Sequence, residues 1–176
     1  MLRLNQPVPT FKQSAYQKGV DGDFTEIDLE DYKGKWVVLF FYPRDFTFVC
    51  PTEIQGFAKH EKAFEEVNTK ILAASTDSVN SHKAWFERDL QEVEFPILAD
   101  PTQELSRAYG VYNEERGESE RGLFIIDPEG NLRYILFSDD NVGRSVEETL
   151  RVVKALQTGG KCPIDWQPGE ANIKTD

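Results

Sequence analysis

The sequence predicts an α/β fold of three layers, with helices on both sides of a mixed central sheet. Three observations predict it. Two short runs, Trp36–Phe41 and Lys70–Thr76, are apolar on both faces, as strands covered from both sides must be. Between them Ile54, Phe57, Ala58, Phe64 and Val67 recur near the helical period while Lys59, His60, Glu61 and Glu65 lie elsewhere, which gives a packed crossover helix. Farther on, Gly122–Asp127 and Leu132–Phe137 flank the turn Pro128-Glu129-Gly130-Asn131, an antiparallel β-hairpin.

The other elements follow in order. Phe24 to Leu29 alternates apolar and polar residues and is expected to be the first strand, followed by the turn Tyr32-Lys33-Gly34-Lys35 and the buried strand Trp36–Phe41. After the Lys70–Thr76 strand, Ser78 caps a helix that carries Trp85 and Phe86 to about Gln91. A β-α-β unit of this length favours a right-handed crossover and parallel pairing. Phe95–Leu98 reads as a short strand and Gln103–Tyr109 as a short helix that Gly110 stops. Ser145 and Glu148 form a capping box for a last helix whose inner face is Val146, Leu150, Val153 and Leu156. The order β-α-β-α-β-(α)-β-β-α is that of a thioredoxin-like three-layer α/β/α sandwich with a mixed central sheet.

With 176 residues, 39% hydrophobic and 29% charged, the chain is expected to form one domain over residues 1–176, in which 159–176 is a C-terminal arm. A net charge of -11 without a compensating basic cluster repels phosphate backbones and anionic lipid, which excludes nucleic acid and membrane surfaces as partners. The N-terminal residues show no long apolar run and no stretch approaches the span of a bilayer, so the expected location is the cytoplasm. The two histidines, His60 and His82, are not spaced with Asp or Cys as metal ligands and read as solvated or packed residues; no metal or cofactor is expected.

Only two cysteines occur, Cys50 and Cys162, and their spacing is neither a zinc pattern nor a close redox pair. Cys50 follows an apolar strand and opens an amphipathic helix, with Pro51 in the first turn, where a missing N–H costs nothing. Unpaired N–H groups and the positive end of the helix dipole favour a thiolate there, the form of sulfur that attacks. Pro43 ends the preceding strand, so the loop to Cys50 folds over the helix start as a pocket wall, and Thr47 is close enough for its hydroxyl to face the sulfur or an oxygen bound to it. Arg121 opens the hairpin strand; if that strand neighbours Trp36–Phe41, its guanidinium reaches Cys50. Glu53, otherwise a favourable acid in a first helical turn, is read as holding a second arginine, Arg144.

Ionisation alone is too small an effect. A thiol with pKa ~8.5 is roughly 3% ionised at neutral pH, so full ionisation gains at most about 30-fold, ~2 kcal/mol. Sulfur also loses nucleophilicity as its pKa falls. A fast peroxide-reducing site therefore needs donors for the oxygen that leaves, a role open to Thr47, Arg121 and the backbone N–H groups of the turn. The product is a sulfenic acid, which condenses with a second thiol. Cys162, in the turn-forming segment Gly159-Gly160-Lys161-Cys162-Pro163, is a plausible resolving thiol; spacing leaves open whether it serves its own chain or a neighbour.

The segment Phe40-Phe41-Tyr42-Pro43 through Asp45-Phe46-Thr47-Phe48-Val49-Cys50-Pro51-Thr52-Glu53 resembles the signature of the typical two-cysteine peroxiredoxins, closest to the peroxidase subunit of bacterial alkyl hydroperoxide reductase. Ser75-Thr76-Asp77, His82-Lys83-Ala84-Trp85, Asp100-Pro101-Thr102, Arg121–Asp127, Val142-Gly143-Arg144-Ser145 and Cys162-Pro163 with Trp166 extend the resemblance. It implies a peroxidatic Cys50 assisted by Pro43, Thr47 and Arg121, and a resolving Cys162 supplied by the partner in an antiparallel homodimer, which further implies a decameric ring. The implied substrates are hydrogen peroxide and organic hydroperoxides, with electrons returned by thioredoxin or a flavoprotein disulfide reductase. Neither a Gly-Gly-Leu-Gly insertion nor a Tyr-Phe tail occurs, so Cys50 is expected to resist over-oxidation. Among rivals, a disulfide oxidoreductase lacks its CxxC, whereas a holdase chaperone or peroxide sensor on the same scaffold is the alternative.

Overall fold

The computed structural model describes residues 1–175. A seven-stranded sheet is formed, in chain order, by β1 (Lys12–Tyr16), β2 (Phe24–Asp28), β3 (Trp36–Phe41), β4 (Thr69–Ser75), β5 (Ile97–Ala99), β8 (Arg121–Ile126) and β9 (Leu132–Ser138). The spatial order is β2-β1-β5-β4-β3-β8-β9. The helices are α1 (Cys50–Glu66), α2 (Val79–Asp89), α3 (Glu104–Ala108) and α4 (Val146–Gln157). A separate two-stranded ribbon pairs β6 (Tyr112–Asn113) with β7 (Glu118–Ser119).

Mixed pairing centres on β3. It runs parallel to β4, with Val38 opposite Ile71, and antiparallel to β8, with Phe40 opposite Leu123. All six of its residues are buried. Side-chain alternation explains why, since Trp36, Val38 and Phe40 enter one core with Phe57 and Phe64 of α1, Trp85 and Phe86 of α2 and Val153 of α4. Val37, Leu39 and Phe41 enter a second core with Leu105 and Tyr109, beside α3 and the N-terminal segment. The second layer is thin, one short helix and irregular chain.

Two expectations need correction. The Phe24–Leu29 strand is not the first, because Lys12–Tyr16 precedes it and pairs with both β2 and β5. Its sequence, Lys-Gln-Ser-Ala-Tyr, carries too few apolar residues to be read as a strand, and only Ala15 and Tyr16 are buried. The short strand expected at Phe95 begins at Ile97, since Pro96 has no N–H for the ladder and contributes its carbonyl to Ala73 N–H at 3.2 Å. The Ser78 cap holds, with its Oγ accepting from Ser81 N–H, whereas the capping box at Ser145 is half formed: Ser145 Oγ accepts from Glu148 N–H, but the Glu148 carboxylate turns to Arg151 instead of the Ser145 N–H.

Candidate active site

Cys50 is the first residue of α1. No side chain caps this end, Pro51 follows, and the first turn is closed on Val49 O by the N–H groups of Thr52 and Glu53. The positive end of the helix thus lies at Cys50, although Pro51 has no N–H and the Thr52 and Glu53 N–H groups are already taken by Val49 O.

Opposite the sulfur stands Arg121. The antiparallel pairing of β3 and β8 brings it there, and its Nη1 lies 3.3 Å from Cys50 Sγ. The same nitrogen donates to Glu53 Oε2 at 2.9 Å, and Nε donates to Asp140 O at 3.0 Å, which fixes the plane of the guanidinium. Arg144 grips the same carboxylate: Nε and the backbone N–H reach Oε1, each at 2.8 Å, and Nη2 reaches Oε2 at 2.9 Å. Its Nη1 donates to Gly122 O at 2.8 Å, and its guanidinium lies over the Phe40 ring.

Cys50, Glu53, Arg121 and Arg144 are all buried. Two guanidinium groups share one carboxylate, so the trio carries one surplus positive charge beside the Cys50 sulfur. Burial would raise the Glu53 carboxyl, yet the hydrogen bonds and charge of Arg144, with Arg121 behind them, hold it below the usual range. Burial would lower Arg121; its hydrogen bond to Cys50 and the charges of Cys50 and Glu53 reverse that and raise it. The arginine stays charged throughout.

The loop between β3 and α1 is pinned from beneath. Tyr42 N–H makes the last ladder bond, to Ala74 O at 3.0 Å, and Pro43 follows. Tyr42 Oη donates to Asp45 Oδ1 at 2.6 Å, and His82 Nδ1 lies 2.7 Å from Asp45 Oδ2 while its Nε2 donates to Leu98 O at 3.1 Å. Burial and the Asp45 charge push the Tyr42 hydroxyl far up, so it remains a donor. Asp45 N–H in turn bonds Asp77 Oδ2 at 2.9 Å. Arg44 is held by Glu118 and by Arg116 O, which ties the loop to the β6–β7 ribbon.

The AhpC/TSA family profile matches residues 4–135. This chain belongs to the AhpC/TSA family. It is 53% identical over 97% of its length to a putative peroxiredoxin in the rubredoxin operon of Clostridium pasteurianum, 98% of which is covered. A thioredoxin peroxidase of Trypanosoma brucei rhodesiense is 50% identical, covering 99% of this chain and 91% of that protein. The crystal structure of Enterococcus faecalis AhpC superposes with a TM-score of 0.86 at 39% identity, covering 93% of this chain and all (100%) of that one. The reduced Plasmodium vivax 2-Cys peroxiredoxin gives a TM-score of 0.92 at 35% identity, over 97% and 92% of the two chains.

Within this AhpC/TSA fold the expected residues separate into those that converge and those that do not. Cys50, Arg121, Glu53 and Arg144 form one cluster, and Pro43 is buried at the strand end. Thr47 Oγ1 donates to Arg44 O at 3.0 Å, three residues back, rather than to the sulfur, which satisfies the hydroxyl proton and leaves its lone pairs to accept. Phe46, at φ 58, turns the chain in the left-handed region and lies beside Trp85, with centroids 5.9 Å apart. Cys50 is not bare either, with 0% of its surface exposed, while Phe48 two residues earlier is 94% exposed. Cys162 is half-buried at the far end of α4 and touches none of the cluster.

Sequence reasoning missed the support under the loop. His82 read as a solvated or packed histidine; it is packed, and its bond to Asp45 and through it to Tyr42 went unseen. The partners lie far apart in sequence, and nothing in their spacing signals the contact.

Proposed function

We propose that this chain is a thiol-dependent peroxidase in which Cys50 reduces hydrogen peroxide or an organic hydroperoxide and Cys162 of a second copy resolves the product. The observation that carries the reading is the buried guanidinium nitrogen of Arg121, 3.3 Å from Cys50 Sγ, with one surplus positive charge around it. The Cys50 thiolate attacks the terminal peroxide oxygen; an S–O bond forms, the O–O bond breaks, and the departing alkoxide or hydroxide takes a proton to leave as alcohol or water. Arg121 stabilises the charge moving from sulfur to the leaving oxygen, an interaction strengthened by exclusion of water. Thr47, its proton committed to Arg44 O, is suited to accept a hydrogen bond from the peroxide O–H. Pro43 keeps this loop off the sheet ladder. Because the sulfur has no exposed surface, the peroxide enters by a small displacement of residues 46–49.

The second step forms an S–S bond as the sulfenic S–O bond breaks and water leaves; a dithiol reductant then returns two electrons. The two helices favour a second copy as the source of the thiol. Arg144 on Glu53 sets the start of α4 beside the start of α1, and Gln157 Nε2 donates to Val67 O at 2.6 Å where both end. The 17 residues of α1 span about 25 Å. The five residues from Thr158 to Cys162 reach at most ~18 Å beyond the end of α4, short of the helix length, so its own Cys50 is out of range while α4 stays folded.

The antiparallel homodimer, its decameric ring, thioredoxin or a flavoprotein disulfide reductase as donor, a cytoplasmic location and a single domain with a resolving arm over 159–176 belong to the same proposal. Phe137 on the edge strand β9, 53% exposed, favours a covered face there. No helix among the described residues is long and apolar enough to cross a membrane.

Peroxide consumption with a dithiol donor, followed by non-reducing electrophoresis after one equivalent of peroxide, tests the reading. Cys50→Ser is expected to consume no peroxide, and the wild type to run as a covalent dimer that Cys162→Ser cannot form. A wild type that stays monomeric on the gel refutes resolution by a second copy.

A further inference from the structure

The C-terminal arm is folded back on α4 and closed at its two ends. Lys161 and Ile173 form a β-bridge, with Ile173 N–H donating to Lys161 O at 2.8 Å. Trp166 is buried between them in sequence, its Nε1 donating to Glu170 O at 3.0 Å, and Arg151 Nη1 donates to Trp166 O at 2.8 Å. Beside the bridge, Asn172 Nδ2 donates both to Thr158 Oγ1 at 2.9 Å and to Cys162 Sγ at 3.4 Å.

The sulfur meets two oxygens as well. Ala155 O and Thr158 Oγ1 each lie 3.6 Å from Sγ. Thr158 Oγ1 donates to Ala155 O at 2.8 Å and accepts from Gly160 N–H at 3.2 Å and from Asn172 Nδ2, so its capacity is filled and the Cys162 S–H is left to donate to Ala155 O. Gly160 gives independent support for a built contact. A Cβ there would lie 2.7 Å from both Cγ and Nδ2 of Asn172, so the position is kept empty for that amide.

We infer that Asn172 is a positioning residue for Cys162: its amide, seated in the space left by Gly160, latches the thiol to the end of α4, and release of this latch precedes attack on the oxidised Cys50. The inference rests on the peroxidase reading. While the latch is closed the thiol is oriented toward the carbonyl of Ala155. Once open, Cys162 forms the S–S bond, the sulfenic S–O bond breaks, and the thiol proton leaves with the hydroxide as water. The peroxide that began the cycle is the only oxidant needed. A closed latch prolongs the life of the Cys50 sulfenic acid, which a second peroxide converts to sulfinic acid.

The test compares wild type with Asn172→Ala, the equally sized Asn172→Asp, whose carboxylate cannot donate, and Gly160→Ala, which displaces the amide without altering either partner. Rapid quenching with an alkylating agent and mass analysis read the Cys50–Cys162 disulfide and the Cys50 sulfinic acid, while sulfenic acid formation is read separately. Each variant is expected to form the disulfide about fivefold faster, the ratio for one lost hydrogen bond of about 1 kcal/mol, with less sulfinic acid. Gly160→Ala combined with Asn172→Ala is expected to add nothing, since both open one contact. A merely structural contact would lower the unfolding midpoint and leave the ratio of disulfide to sulfinic acid unchanged. Unchanged or slower disulfide formation alongside a normal wild-type disulfide would overturn this inference alone. Absence of the disulfide from the wild type would overturn the resolving role and the latch together.

Discussion

Glu53 and Arg144 meet through both carboxylate oxygens, with Oε1 taking Nε and the backbone N–H of Arg144 and Oε2 taking Nη2. The pair links the first turn of α1 to the residue before the α4 cap, and Arg121 leans on the same carboxylate to reach the sulfur. The geometry of the nucleophile thus depends on a carboxylate that never touches it.

Replacing Glu53 leaves two buried guanidinium groups facing each other. Glu53→Ala is expected to lower stability by about 3–5 kcal/mol, measured by urea unfolding at neutral pH. The pH dependence has a definite sign. The folded carboxyl lies below its ordinary 4.5, so its contribution is present above that value and fades as pH falls through the lower, folded value. The wild type is expected to lose stability below about pH 4.5 more steeply than Glu53→Gln, whose unfolding free energy plotted against pH checks the slope.

Arg121→Ala is expected to slow sulfenic acid formation by roughly 100-fold, the usual cost of removing a transition-state donor. The deficit is expected to persist at about pH 10, above the ordinary range for a thiol. Stopped-flow measurement across pH distinguishes the two contributions, since full recovery at high pH would mean that Arg121 acts only on the charge of the resting sulfur.

Thr47→Val removes the hydroxyl while preserving shape, and Thr47→Ser preserves the hydroxyl. The valine variant is expected to lose roughly tenfold or more in the first step, the serine variant little. Equal rates for all three would assign Thr47 to the turn with Arg44 and nothing more.

Gly122 sits in β8 next to Arg121, where an added Cβ would come within 2.5 Å of Val111 Cγ1 and 3.2 Å of Phe124 Cε2. Its carbonyl also holds Arg144. Gly122→Ala is expected to cost about 1–3 kcal/mol through overpacking, read as a shifted denaturant midpoint, and to slow the first step as Arg144 and Glu53 move.

Much of this was legible in the sequence because the informative residues lie on regular elements. Apolar runs without alternation marked β3 and β4 as buried strands, and the reach of Arg121 to Cys50 was legible only on the condition that its strand neighbours β3, which the sheet order meets. The Arg144 contact with Glu53 was likewise foreseeable from its charge and the first helical turn. The bond of Thr47 to Arg44 O was not, since it closes a turn in which Phe46 adopts φ 58, a conformation that an aromatic side chain does not announce. Nor was burial of Cys50, which depends on how the loop closes over it. The weakly apolar β1 escaped notice because its place is set by partners on both sides rather than by its own pattern.

The side-by-side course of α1 and α4 separates the two sulfurs of a single chain by roughly the length of a helix. If the second thiol must come from another molecule, self-association becomes a step of the chemical cycle. Dilution below the association threshold would then leave Cys50 still able to consume one peroxide per chain but unable to turn over, a stalled enzyme with every side chain in place.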